Sequence, residues 1–377
     1  MGRFLRSAAR VLSVTYVCAL MTEAAFVDPL RLRSAVLAVT PPGALQAAEE
    51  ISESDSRNHG LGLTFIWRNH RLFEQVYSNR SDLLVDGHPG GEFLKISELR
   101  WASRYPALVV DFDQLSDTGA KSDRLRAWIG TQAFGSSEPM VDLDWTSYGE
   151  GQTLTDPNYN DDEGYTFLTL SPDTRLDWAG GIDIQNRSFV SVGSPSAQVR
   201  LFGGSGLSVE AHNWTARGAE GFYSVDDYFD TPVFVPDTQQ TVRLQHWLAS
   251  PYSTVGVAFQ TQRFRVETNT RAGLTASFLY DDHVLRDLAI RSVGLGWMAG
   301  IDGSVEAVLS DQLDLIVSGD LSRAASYGLW RRNIWDVGSE EYPDGLTADW
   351  LRGWQETSVI DTKSIDWSIE FGLTYRF

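Results

Sequence analysis

The last thirteen residues constrain what this chain can fold into more than any other stretch. Ile365, Trp367, Ile369, Phe371, Leu373, Tyr375 and Phe377 alternate with Asp366, Ser368, Glu370, Gly372, Thr374 and Arg376. Successive side chains of an extended backbone point to opposite faces, so one face here is apolar and aromatic and the other polar. A strand of a soluble sandwich alternates too, but it usually ends after about five or six residues. An unbroken run of this length suits a tilted strand that crosses a bilayer.

Other segments carry the same pattern less cleanly: Leu61–Asn69, Ile96–Gln114 with a bend expected near Pro106, Leu125–Phe134, Arg175–Phe189 and Val199–Trp214. Val242–Gln262, Phe264–Tyr280, Gly296–Leu309 and Leu313–Leu321 follow, and Ser364–Phe377 closes the series. That makes about ten strands, an even number, as single-chain bacterial barrels have. Closure is required because an open sheet edge in lipid leaves backbone groups without partners. No uncharged apolar run reaches the ~18–20 residues of a spanning helix, and the mean hydropathy is -0.21, which excludes a helical membrane protein. No repeat or low-complexity linker divides the chain. The sequence therefore predicts an all-β fold over residues 49–377, a ten-stranded antiparallel transmembrane β-barrel with long extracellular loops. The terminal aromatic strand looks like the insertion signal of outer-membrane barrels, which predicts that membrane as the location.

The first 48 residues read as an export leader. Arg3, Arg6 and Arg10 precede the apolar run Val11–Met21, and Arg31 and Arg33 precede a second one, Ser34–Leu45. Gln46-Ala47-Ala48 followed by Glu49 suits cleavage by a signal peptidase. Residues 1–48 hold five arginines against Glu23 and Asp28, a net +3, so a net charge of -19 becomes about -22 after cleavage. A chain this acidic repels nucleic acid and attracts basic partners. Cleavage also removes Cys18, the single cysteine, so no disulfide staples the exported domain.

Connections alternate in length. Tight turns are expected near Ser116–Ser122, Val192–Ser196 and Ser310–Leu313, and long polar excursions over Ser136–Asp173, Ala216–Gln240 and Ser326–Lys363. Function on barrels of this kind belongs to the long set. Asp142 and Asp144 fall at the start of the first excursion, two residues apart and so on one face of an extended chain. Asp281 and His283 repeat the device directly after a strand. With sequential strand order the two stretches leave the same rim on roughly opposite walls. Asp281 would orient His283 and stabilise its protonated form, and His283 would take a proton from water. The carboxylate pair would hold that water from the far side while sharing a proton, because two close carboxylates resist ionising together. Spacing alone favours a blander reading, since Asp-x-Asp in an acidic loop is usually a solvated face.

The other histidines carry weaker signals. His59, His70 and His88 lie in or beside the first strand without a paired carboxylate, and His212 and His246 read as wall residues rather than ligands. No His/Cys spacing matches a zinc motif. The stretch Asp156–Asp162 is rich in Asn and Asp but lacks the glycine and terminal glutamate of a calcium loop. No metal is expected.

Met140-Val-Asp-Leu-Asp-Trp145 resembles the signature of the omptins, the outer-membrane aspartate-type endoproteases of Gram-negative bacteria. The similarity continues through Thr155-Asp156, Pro172-Asp-Thr174, Thr215-Ala-Arg-Gly218, Asp281-Asp-His283 and Gly372-Leu-Thr-Tyr-Arg-Phe377, in the family's order. The resemblance implies a ten-stranded barrel with a catalytic cleft at its extracellular mouth. It implies that Asp142 and Asp144 are the family's aspartate pair and that Asp281 and His283 are its dyad. The implied substrates are peptides or proteins cut between basic residues by water. Phe73-Glu-Gln-Val-Tyr77 is similar to the family stretch whose glutamate lines the pocket for the basic side chain, so Glu74 is a substrate-binding candidate, as is Asp156. A second pocket acid normally stands two residues before the dyad aspartate, where this chain has Leu279, which should weaken the grip on arginine. Lipopolysaccharide, an activating lipid in relatives, is the one cofactor implied, but Ser208–Ala211 lacks the arginine of its binding motif. The rival readings are a catalytically silent barrel that binds or adheres through its loops, and a diffusion pore.

Overall fold

The computed structural model describes residues 59–78, 94–116, 120–144, 167–194, 197–223, 231–284, 288–334 and 358–377, all within the compact unit Arg57–Phe377. The expected leader and Asp156 lie outside these residues. Thirteen strands are described: β1 His59–Ser78, β2 Leu94–Leu115, β3 Lys121–Gly130, β4 Ser136–Ser137, β5 Met140–Asp144, β6 Phe167–Ser171 and β7 Asp173–Ser194. They continue with β8 Ala197–Tyr223, β9 Thr231–Thr261, β10 Phe264–His283, β11 Leu288–Val308, β12 Leu313–Ile334 and β13 Ser358–Arg376. All pairings are antiparallel, and β1 pairs with both β2 and β13, which closes the ring. Two staves of that ring are built from pieces. β3, β4 and β5 take turns along one edge of β2, while β7 and β6 take turns along one edge of β8. Counted as staves, the barrel has ten, as the alternation predicts.

The barrel is polar inside and apolar outside. Along β13, Thr362, Ser364, Asp366, Ser368 and Glu370 are buried, while Ile369, Phe371, Leu373 and Tyr375 are exposed. Leu63, Leu108, Ile129, Leu201, Leu274 and Leu295 extend the exposed apolar belt around other staves. Such a surface is stable only against hydrocarbon. Trp178 and Trp247 meet edge-on with centroids 5.9 Å apart.

Inside, the end with tight turns is filled by paired charges. Arg187 reaches Glu267 at 2.6 Å, Arg126 reaches Glu370 at 2.5 Å and Arg271 reaches Asp320 at 3.0 Å. Arg376 meets Asp314 at 2.9 Å. Towards the other end the filling turns apolar, with Leu72, Trp101, Leu176, Trp214, Leu244 and Leu279 in one buried cluster.

Three expectations need correction. The strands run several residues further than the alternation suggested, so parts of the expected loops are walls: β8 continues to Tyr223, β12 to Ile334, and β5 and β6 lie inside the first long excursion. Above the lipid both faces are wet or filled, and the apolar–polar contrast that marks a strand disappears. Asp142 and Asp144 therefore lie on a strand rather than in a loop. Finally, β2 passes through Pro106 with no register shift there; the one irregularity in its pairing with β1 falls between Val76 and Tyr77. Pro106 instead sits where β3 has ended and β4 has not begun, a gap in the ladder that suits a residue without an N–H.

Candidate active site

The upper walls of β1, β5 and β10 carry the acidic residues singled out in the sequence. Arg71 and Glu138 are both about half exposed and pair at 3.1 Å on the outer wall, so this level is bathed by water rather than lipid. Glu74 on β1 lies opposite Leu99 of β2, and Asp142 on β5 lies opposite Leu99 from the other side. The two acids thus stand at one height on staves separated by a single strand, about 10 Å apart at the backbone. Asp281 and His283 are on β10, inward-facing and buried.

His283 Nε2 and Asp281 Oδ2 are 2.7 Å apart, the contact expected from residues two apart on one strand face. Asp281 is fully buried and His283 nearly so, which strengthens the pair relative to water. Asp142 is buried as well. Asp144 ends β5, where its backbone pairs with Ser97 and Phe167. The β5 segment is pinned from below: Met140 N–H donates to Thr174 Oγ1 at 2.7 Å, and Thr174 Oγ1 donates to Ser171 C=O at 2.7 Å. Gln132 Oε1 accepts from Leu176 N–H at 2.5 Å and from Ser137 at 2.7 Å, tying down the turn that leads into β5. These supports were not singled out in the sequence. Their only signal was Pro172-Asp-Thr174, where the proline separates β6 from β7.

Glu74 is fully buried, and neither carboxylate oxygen has a hydrogen-bond partner among the described residues. Burial, then the negative charges of Asp281 and Asp142, holds its carboxyl well above the ordinary 4.5. That both aspartates act on Glu74 shows that acids from three separate staves share one electrostatic neighbourhood. Leu279 packs into the apolar cluster one inward position below Asp281. Because ionising Glu74 is penalised only in the folded state, its contribution is full below the ordinary carboxylate range and lost as pH rises through the raised value. Glu74→Gln is therefore expected to gain stability relative to the unmodified barrel as pH rises above the ordinary carboxylate range. Urea unfolding of both proteins at several pH values checks this. A stability difference that stays constant with pH would count against a raised carboxyl.

Among solved structures, the barrel superposes on the outer membrane protease OmpT from Escherichia coli with a TM-score of 0.59, at 16% identity, over 87% of this chain and 99% of that one. At that identity the likeness establishes the shared barrel fold. The outer membrane protein OprG from Pseudomonas aeruginosa (TM-score 0.29, 8% identity, 86% and 98% covered) matches far more loosely. So does the translocator domain of the autotransporter NalP from Neisseria meningitidis (0.29, 9%, 92% and 98%). No protein-family model and no curated protein matches the chain.

Proposed function

We propose that this protein is an outer-membrane endopeptidase that hydrolyses peptide bonds beside basic residues with an activated water. The observation that carries the reading is the buried 2.7 Å pair of His283 with Asp281, in a barrel mouth that also buries Asp142 and Glu74. A pair of this kind has a chemical use. Asp281 holds the ring through Nε2 and stabilises the imidazolium. His283 takes a proton from water as the oxygen attacks the peptide carbonyl carbon. The same proton then passes to the leaving nitrogen as the C–N bond breaks. Asp142 and Asp144 hold the water from the facing wall.

The preference for basic residues follows from charge. A cationic side chain entering beside Glu74 would draw the proton off its carboxyl and meet an unpaired acid. Leu279 leaves this pocket with one acid where the omptin pattern has two, so selectivity for arginine should be shallower. The lipid-facing belt, with the export leader expected from residues 1–48, supports the outer membrane as the site of action, with the mouth outward.

The test is cleavage of a diverse peptide library by refolded protein, with and without lipopolysaccharide. Cuts should concentrate beside Lys and Arg. A protein inert towards the whole library in both conditions is not a peptidase, and the binding-barrel reading would replace this one.

A further inference from the structure

Below the acids the barrel gathers three histidines, two of which, His212 and His246, the sequence reads as wall residues. His70 comes from β1, His212 from β8 and His246 from β9, and all three are buried. One ring nitrogen of each lies within 4.8 Å of the other two. The expectation that His70 lacks a carboxylate partner is corrected here: its Nδ1 is 2.6 Å from Asp366 Oδ1. His212 Nε2 is 3.2 Å from the Tyr105 hydroxyl, and His246 Nε2 is 3.1 Å from Ser277 Oγ. Each ring is thus held by one nitrogen. The remaining three, His70 Nε2, His212 Nδ1 and His246 Nδ1, are buried with no hydrogen-bond partner among the described residues.

A buried polar atom without a partner costs roughly 1–3 kcal/mol. Three in one layer call for an occupant that satisfies them together. Stacking of His70 on His212, with centroids 3.8 Å apart, and of both on Trp214 satisfies ring faces but no nitrogen lone pair. The pattern of one nitrogen committed to an oxygen partner and one uncommitted is that of metal-bound histidine, where the outer partner sets tautomer and ring orientation. The carboxylate on His70 is the commonest such partner. Two carboxylates, Asp366 itself and Glu210, bear on the charge. Glu210 and Asp366 also lie with His212 in a group whose ligand atoms are within 4.8 Å of one another. Against them stand Arg68, at 3.3 Å from Glu210 and 3.5 Å from Asp366, and Arg271, itself paired with Asp320 at 3.0 Å, so three carboxylates face two guanidinium groups.

We propose that His70, His212 and His246 form an interior site for a divalent transition metal of the zinc class, with Asp366, Tyr105 and Ser277 orienting the three rings. Imidazole nitrogens bind zinc at about 2.0–2.1 Å and so stand about 3.4 Å apart in a tetrahedral site. The rings close to that spacing by turning about their outer bonds and opening the His70–His212 stack. Glu210 or water completes the four ligands. The ion would tie β1, β8 and β9 together across the lumen. It is structural rather than catalytic, because on β1 the buried Leu72 separates His70 from Glu74, and on β10 the buried Leu279 separates Ser277, the partner of His246, from Asp281. The proposal does not depend on the peptidase reading.

The test uses the refolded full barrel, stripped with chelator, reloaded with zinc or cobalt and desalted. About one equivalent of metal should remain, and cobalt should give the intense visible bands of tetrahedral coordination. His246→Ala and His212→Ala should abolish retention, whereas His283→Ala should keep it. Asp366→Asn should weaken affinity about 10–100-fold. In case a histidine variant does not fold, X-ray absorption on the zinc-loaded wild type counts imidazole ligands directly. Three support the site, and two or fewer overturn it. Absence of retained metal, or metal lost from His283→Ala but kept by His212→Ala, overturns it as well.

Discussion

His283→Ala is expected to lower kcat for peptide cleavage by roughly 10³-fold or more while leaving the barrel folded. The size follows from the role proposed for the ring. Without it no group beside the water accepts a proton, and Asp281 is left as a buried carboxylate with nothing to orient. The fold should survive because His283 is the last residue of β10, where its backbone pairs with Val242 and Leu288 whatever its side chain. Asp281→Asn should lose a comparable amount, since an amide cannot stabilise the imidazolium. Asp142→Asn separates the dyad from the facing wall: it should reduce kcat while leaving the Asp281–His283 pair intact. The readouts are kcat and KM on a peptide taken from the library screen, with circular dichroism to confirm strand content. Unchanged kcat in His283→Ala would show that the buried pair is structural.

The second large effect concerns Trp214. Its indole is fully buried, stacks on His70 and His212 with centroids 5.3 Å away in both cases, and tilts against Trp101 at 6.1 Å. Its Nε1 donates to Ser103 Oγ at 2.9 Å. Trp214 thus joins the histidine layer to the apolar cluster. Trp214→Ala should cost about 3–5 kcal/mol, the range for large-to-small changes in a core whose surroundings collapse only in part. Barrel walls are held by ladders on both sides and cannot move in to fill the space, which places the cost towards the upper end. Urea unfolding in lipid vesicles measures it. Trp214→Phe keeps most of the volume and loses only the hydrogen bond, so it should cost about 1–2 kcal/mol. Equal costs for the two variants would mean that packing is not what this residue contributes.

The alternation of β13 was readable because lipid on one side and a polar lumen on the other impose a two-residue contrast. The same contrast found all ten staves, and where it faded the strand ends were misjudged. The sequence places Asp142 in a loop for that reason. The sequence contained nothing to show that the backbone at Met140–Asp144 is paired on both edges, with β2 and β6. The pairing of Asp281 with His283 was legible because it is local: a spacing of two on any extended chain puts both groups on one face. Their meeting with Glu74 and Asp142 was not, since it depends on which staves stand beside and across from one another.

By itself, then, the sequence determined the class of fold, the number of staves and the pairs that lie within one strand, because these follow from a backbone periodicity that needs no tertiary contact. Only the tertiary structure decided what the lumen contains. His70, His212 and His246 share no spacing that any motif would register. They form one cluster because ring closure and strand register bring β1, β8 and β9 to the same height, and register is a property of the whole closed ladder rather than of any stretch of chain.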